Sequence, residues 1–214
     1  VTSAQLSNQV MELLKKEQPD VTLRQVEFIG PQVGEELVTN GLMALSFVVA
    51  GIIIYLSMRF EWRFAVSAII ANMHDIVIIL GCFAFFQWEF SLTVLAGILA
   101  VLGYSVNESV VVFDRIRENL GKHKHNLAKA DIQKIFNDSI NQTLSRTINT
   151  SVSTLIVLVS IFILGGDSIR SFSFAMIIGI IIGTLSSIFI ASPVAYLVLG
   201  KKIEKRSREL AEAP

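Results

Sequence analysis

Hydrophobic residues along this chain gather into five long runs, at 37–58, 64–86, 91–113, 148–164 and 172–199, separated by polar punctuation. About 20 apolar residues wound as a helix cross roughly 30 Å of hydrocarbon, so each run predicts a membrane-spanning helix. The last run is long enough to tilt, and Pro193 offers it a kink. Only 59–63 and 87–90 separate the first three runs, which forces neighbouring helices to lie antiparallel and in contact. Gly165, Gly166 and Asp167 turn the fourth into the fifth. The expected fold is membrane all-α, a bundle of five transmembrane helices over 37–199.

Three stretches fall outside the spans. In 1–36, Leu6, Val10, Leu13 and Leu14 share one helical face, Pro19 and Asp20 break the helix, and 21–28 alternates like a strand, with a slip at Arg24 and Gln25 that suggests a bulge. A helix and a strand cannot bury a core alone, so this segment is expected to be the C-terminal part of an α+β domain completed elsewhere. The chain begins at Val1, with no basic and apolar leader ahead of a cleavage site, and is expected to be a piece whose upstream part is missing. The polar stretch 114–147 is expected to be a loop containing a second helical pattern, with Ile132, Ile135, Phe136, Ile140 and Leu144 three and four apart. Two readings of that pattern stand: an amphipathic helix lying along the membrane surface, or an ordinary helix packed on the ends of the bundle. Residues 200–214 form a tail.

Charge supplies orientation. Arg59 and Arg63 follow the first span; Arg115, Arg117, Lys122, Lys124, Lys129, Lys134 and Arg146 lie in 114–147; Lys201, Lys202, Lys205, Arg206 and Arg208 lie in the tail. The opposite connections contain only Arg170. Basic residues stay on the cytoplasmic side, so 114–147 and the C-terminus are expected there and 1–36 on the periplasmic face. Composition agrees with a multi-pass membrane protein: of 214 residues 52% are hydrophobic and 17% charged, and mean hydropathy is +0.61. Eighteen basic residues balance 18 acidic ones, which argues against a nucleic-acid partner. Cys82 is the only cysteine, so no intrachain disulfide forms; it reads as a small buried hydrophobe.

Polar residues inside the spans raise the chemical question. An ionised group near the bilayer centre costs at least about 2.5–3.5 kcal/mol, so an intramembrane carboxylate is a candidate functional site. Asp75 lies midway along the second span, below Ala68, Ala71 and Asn72 and beside His74. Glu108 lies in the third span with Gly97, Ala100, Tyr104, Asn107 and Val111 at spacings of three and four. Small residues in such a stripe let helices approach closely, so Gly97, Gly103, Gly179 and Gly183, the last two as GxxxG, are expected helix-packing positions. The hairpin lets both carboxyls face one seam; whether they meet is left open. The fourth span begins with Arg146, Thr147, Asn149, Thr150, Ser151, Ser153 and Thr154. Arg146 can snorkel to water or pair with Glu108, and the pair is the favoured reading, since a buried carboxylate needs a proton or a partner. His123 and His125 have no carboxylate or thiol cluster near them, so no metal site is expected. No Walker loop, glycine-flanked aspartate pair or serine-nucleophile context is present, so neither a catalytic residue nor a cofactor is expected and the chain does not read as an enzyme.

The stretch GYSVNESVVVFDRIREN at 103–119, with VGEEL at 33–37, the His74 and Asp75 pair, NDSINQTLSRTINTS at 137–151 and FILGG at 162–166, closely resembles the SecF family, the smaller partner of the SecD and SecF protein-export pair in the resistance-nodulation-division superfamily. The resemblance runs over essentially the whole chain. The family has six spans with a periplasmic domain between the first two, so the five spans here correspond to its second to sixth. It implies a bacterial inner-membrane subunit that works with SecD, the SecY, SecE and SecG channel and the SecA motor, within membrane lipid, and uses the proton-motive force to draw preproteins across. The acidic residue of the GYSxN motif maps to Glu108, where the family commonly has Asp, and the arginine of the RT motif maps to Arg146. Both are associated with proton passage, and a further acid belongs to SecD. The resulting expectation is a proton relay of Glu108, Arg146 and Asp75, supported by Asn107, His74, Asn72 and Tyr104. The alternatives are a structural subunit that stabilises SecD and the channel without itself carrying protons, and a drug-efflux relative, which the short tail and small outer segment argue against.

Overall fold

The computed structural model describes residues 3–17, 22, 31–122 and 129–199. Six helices follow in order: α1 Ser3–Glu17, α2 Pro31–Arg59, α3 Trp62–Phe86, α4 Leu92–Lys122, α5 Lys129–Leu164 and α6 Asp167–Ser186. Five of them are long and apolar enough to cross a membrane, in agreement with the all-α five-span fold read from the sequence. The chain divides into two compact units, 1–41 and 42–214. In the first, α1 leaves Val10, Leu13 and Leu14 exposed. The strand expected at 21–28 and the tail lie outside the described residues, apart from Thr22, which has no regular structure.

The connections in the second unit have identifiable causes. Gln87 takes a left-handed conformation (φ 54°, ψ 36°) after α3, its backbone N–H donates to the Phe83 carbonyl, and its side chain caps the Ala84 carbonyl at 2.6 Å. Gly165 N–H donates to the Ile161 carbonyl at 2.7 Å and ends α5. Gly166, extended at φ −69° and ψ 169°, then starts α6.

Two expectations about extent change. Of the stretch read as a loop, 114–122 continues α4 and 129–147 begins α5, leaving only 123–128 outside the described residues. The amphipathic segment is therefore the first part of a 36-residue helix continuous with the fourth span, not a separate helix on the membrane surface. The physical reason is that no proline or glycine interrupts α5, while Ile132, Ile135 and Phe136 are buried on the bundle. Near the end of the fifth span a wide π-turn, Ser187–Ala191, replaces α-helical winding, and the chain is helical again over 192–199. Pro193 has no N–H and its ring would strike the carbonyl of Phe189, so the extra residue in the turn accommodates it.

α4 is the axis of the bundle: half of its span is buried, against 17% for α5. Its closest neighbour is α6. A Cβ at Gly179 would stand 2.6 Å from Val101 Cγ1 and 2.9 Å from Val101 Cβ; at Gly183, 3.2 Å from Ser105 Cβ; at Gly97, 3.3 Å from Ala175 Cβ. The glycine pair of α6 thus seats Val101 and Ser105, one turn apart on α4. Gly103, expected to be a packing position, has open space where a Cβ would be and is exposed, because it lies on the other side of α4.

Apolar packing falls into two clusters. One, toward the basic end, joins Leu56, Phe64, Ala68, Phe113, Ile116, Ile132 and Phe136 to Ala195 and Leu199. The other joins Ile79, Phe83, Val94, Ile98, Val101 and Ala175. Phe60, Phe64 and Phe113 close the first, with centroids 5.0–6.3 Å apart. Trp88 closes the second, 4.0 Å from Phe174. Between the clusters runs a layer of buried polar side chains.

Overpacking of the α4–α6 contact gives a direct check. Gly179→Val is expected to destabilise the bundle by about 1–3 kcal/mol or more, whereas Gly103→Ala is expected to be neutral or to stabilise by up to about 1 kcal/mol through helix propensity. Thermal unfolding midpoints of the two variants in detergent measure the contrast; equal shifts would contradict the packing described.

Candidate functional site

The polar layer contains both intramembrane carboxyls, held in different ways. Asp75 on α3 is completely buried. Its Oδ2 accepts hydrogen bonds from Ser105 Oγ of α4 at 2.7 Å and Ser186 Oγ of α6 at 2.9 Å. Its Oδ1 lies 3.3 Å from Nδ1 of His74, whose ring is 40% exposed. Gly183 is what allows this: its hydrogen stands where a side chain would press on Ser105 and approach Asp75 Oδ2 to 3.7 Å. Three helices therefore meet on one carboxylate, and Ser186, the last residue of α6, binds it immediately before the wide turn.

Glu108 is one turn further along α4 from Ser105, 3% exposed, and faces α5. The hydroxyl of Thr147, 1% exposed, lies against its carboxyl without completing a hydrogen bond of good geometry. Arg146 is within electrostatic range but exposed, and no ion pair within 4 Å joins it to Glu108. The favoured pairing is thus a longer-range interaction here, because Arg146 and Thr147 are adjacent on α5 and only Thr147 points inward. Tyr104, one turn before Glu108, extends the layer: its hydroxyl is 3.0 Å from Ser151 Oγ, which is 2.7 Å from Thr184 Oγ1 on α6. Ser151 Oγ also donates to the Thr147 carbonyl at 2.9 Å. A hydroxyl chain therefore links α4, α5 and α6 beside Glu108.

Of the residues singled out from the sequence, Asp75, Glu108, Asn72, Tyr104, Gly97, Gly179 and Gly183 lie in or against this interior, and His74 borders it. The two carboxyls do not hydrogen-bond to each other, since each has its own neighbours. Asn72 is 4% exposed and its Oδ1 is unpartnered. Asn107 is exposed, as are Ala96, Ala100 and Gly103, so the inner seam of α4 runs through Val101, Ser105 and Glu108. Sequence reasoning passed over Ser105, Ser186 and Thr184 as partners. The available signal was a run of small hydroxyl side chains at the spacing of the α6 glycines. Among the described residues no cluster of His, Cys, Asp and Glu could hold a metal ion.

The chain is similar to known proteins in sequence and in fold. Residues 9–201 match the family model described as "Protein export membrane protein SecD/SecF, C-terminal". The chain is 47% identical over 192 residues to a protein translocase subunit SecF of Cereibacter sphaeroides, covering 90% of this chain and 58% of that protein. It is 44% identical over 223 residues to a protein translocase subunit SecF of Vibrio alginolyticus, covering 100% of this chain and 69% of the relative. The crystal structure of SecDF, a translocon-associated membrane protein from Thermus thermophilus, superposes with a TM-score of 0.80 at 38% identity, over 94% of this chain and 27% of that one. SecDF in a super-membrane-facing form gives 0.76 at 33% identity, over 100% and 28%. The chain spans just under three fifths of the length of several of the relatives it matches.

The Asp75 cluster makes a stability prediction. Asp75→Leu leaves the buried Ser105 hydroxyl without its acceptor, at a cost of about 1–3 kcal/mol, and leaves Ser186 only the Gly183 carbonyl at 3.2 Å, whereas the triple change with Ser105→Ala and Ser186→Ala is expected to recover most of the loss. Unfolding midpoints of the single and triple variants check it; a triple variant no more stable than Asp75→Leu would show that the cluster is not a unit.

Proposed function

The chain belongs to the SecD/SecF family of protein-export membrane proteins, and from that premise we propose that it is the membrane part of a bacterial inner-membrane SecF subunit that uses the proton-motive force to promote preprotein export. The observation that supports this most is the contrast between the two buried carboxyls. Asp75 is held by two hydroxyl donors and bordered by a histidine, an arrangement that ties three helices together. Glu108 is equally hidden but has only the Thr147 hydroxyl against it and Arg146 at longer range. A carboxyl so lightly solvated is the group whose protonation changes the balance of forces on its neighbours.

In this reading Glu108 alternates between a neutral form in the closed seam and an ionised form drawn toward Arg146 or water. Each proton crossing the membrane supplies about 2.3 kcal/mol per 100 mV, which becomes work only if the two charge states favour different packings of α4 against α5. Asp75 then serves as the anchor that keeps α3, α4 and α6 together while α5 shifts, with the hydroxyl chain through Tyr104, Ser151 and Thr184 as the adaptable contact. The basic end of the bundle faces the cytoplasm and residues 1–36 the periplasm, by the distribution of Lys and Arg.

The partner is SecD. Alongside the comparisons, the polar outer wall supports this: Gly103 and Asn107 on α4, and Ser145, Arg146, Asn149 and Ser153 on α5, are all exposed. Such a surface is costly against lipid and suits the helices of another subunit, which supply the further acid of the relay. Through that pair the protein acts beside the SecY, SecE and SecG channel, with SecA as the motor on the other face and the preprotein as the substrate.

Glu108→Gln is expected to abolish the proton-gradient-dependent part of export in inverted vesicles while leaving the complex with SecD intact on copurification. Export with an undiminished gradient dependence would refute the role of Glu108 and favour a purely structural subunit.

A further inference from the structure

An open surface groove with a volume of about 640 Å³ lies between the first turns of α5 and the stretch that follows the wide turn. Its size is that of a site for a small molecule or a lipid headgroup. Gln133, Lys134 and Asn137 line it from α5, and Pro193 and Tyr196 from the end of the fifth span. Phe136 forms its floor, 4% exposed and in edge contact with the Tyr196 ring at 5.6 Å. The wall therefore pairs one cation and neutral donors with an aromatic base.

Most of the basic side chains flanking this end of α4 are paired, while Lys134, like Arg63 and Arg146, is in no ion pair among the described residues, and of these three it alone lines the groove. Arg59 and Arg117 are within 3.2 and 3.8 Å of Asp114, while Arg115 and Lys122 are each 2.9 Å from Glu118. Lys134 forms no ion pair with any described residue, although it is exposed at the groove wall. Lys134 has Asp138 one turn away on α5 but no ion pair with it, so its ammonium is available to an anion at the groove wall. The groove also lies where two membrane-spanning helices meet the basic end of the bundle, the level at which lipid headgroups lie, and basic pockets between helices there suit anionic headgroups.

We infer that this groove is a binding site for an anionic phospholipid. The phosphodiester is held by the Lys134 ammonium with Gln133 and Asn137 amides as donors, the Tyr196 hydroxyl lies at the headgroup, and the first acyl carbons rest on Phe136 and Pro193. The site is separate from the carboxyl layer and does not depend on proton passage. It places a lipid against the chain that leaves the wide turn, so its occupancy fixes the end of the fifth span against α5.

The test is native mass spectrometry of the full-length subunit titrated with phosphatidylglycerol or phosphatidylcholine. Phosphatidylglycerol is expected to bind in preference. Lys134→Gln is expected to weaken it by about fivefold, Gln133→Ala with Asn137→Ala to weaken it as well, and Lys122→Gln, which removes a lysine already paired with Glu118, to leave it unchanged. Excess inorganic phosphate is expected not to displace the lipid. Equal binding of the two lipids, equal effects of the two lysine variants, or displacement by inorganic phosphate would each overturn the assignment.

Discussion

The structure depends on one constraint: a carboxylate at membrane depth must be given donors, and Asp75 obtains them from two other helices. Ser105 and Ser186 reach the same oxygen, 2.7 and 2.9 Å away, and only because Gly183 leaves room for the approach. Without a hydrophobic driving force between helices in lipid, register is set by close packing such as Val101 against Gly179 and by interhelical hydrogen bonds. A buried hydrogen-bonded carboxyl also selects one, because another register leaves it without donors. The polar layer and the glycine contacts of α4 with α6 together set the alignment of α3, α4 and α6, with an apolar cluster on either side.

That alignment places Glu108 where it can act. Both carboxyls lie on inner faces, yet one is surrounded by donors and the other is not. Asp75 on α3 is bonded to Ser105 of α4, and Glu108 lies one turn further along α4 with fewer donors around it. The wide turn adds a third feature. Ser192 Oγ and N–H both return to the Ser187 carbonyl, with the Oγ bond at 2.8 Å, so the extra residue is accommodated without stranding that acceptor. Ser186, at the edge of that turn, is bound to Asp75.

Much of the fold was legible in the sequence because hydrocarbon thickness is a demanding ruler: runs of apolar residues long enough to span are rarely anything else. The GxxxG pair and the two acids were legible for the related reason that small or charged residues in such runs need an explanation. What escaped was angular. Ala100, Gly103 and Asn107 follow the spacing of a helical stripe as well as Val101, Ser105 and Glu108 do, and spacing alone does not say which stripe faces inward. The serines escaped because a hydroxyl in a span is satisfied equally well by its own helix, as Ser67 and Ser160 are by Arg63 and Ile156. Only the neighbouring helix distinguishes those from Ser105 and Ser186. The length of α5 escaped because polar composition was read as a loop, when the absence of proline and glycine from 129 to 164 was the stronger signal.

The central claim is that Glu108 changes its ionisation state during work, in a seam that is stable in both states. Infrared difference spectroscopy of the full SecD and SecF complex in vesicles, with and without an imposed proton gradient, reads this directly. The expected result is a protonated-carboxyl band that rises and falls with the gradient and is missing from the Glu108→Gln complex. A difference spectrum identical in the two complexes would mean that this carboxyl keeps one state throughout, and the switch would have to lie elsewhere.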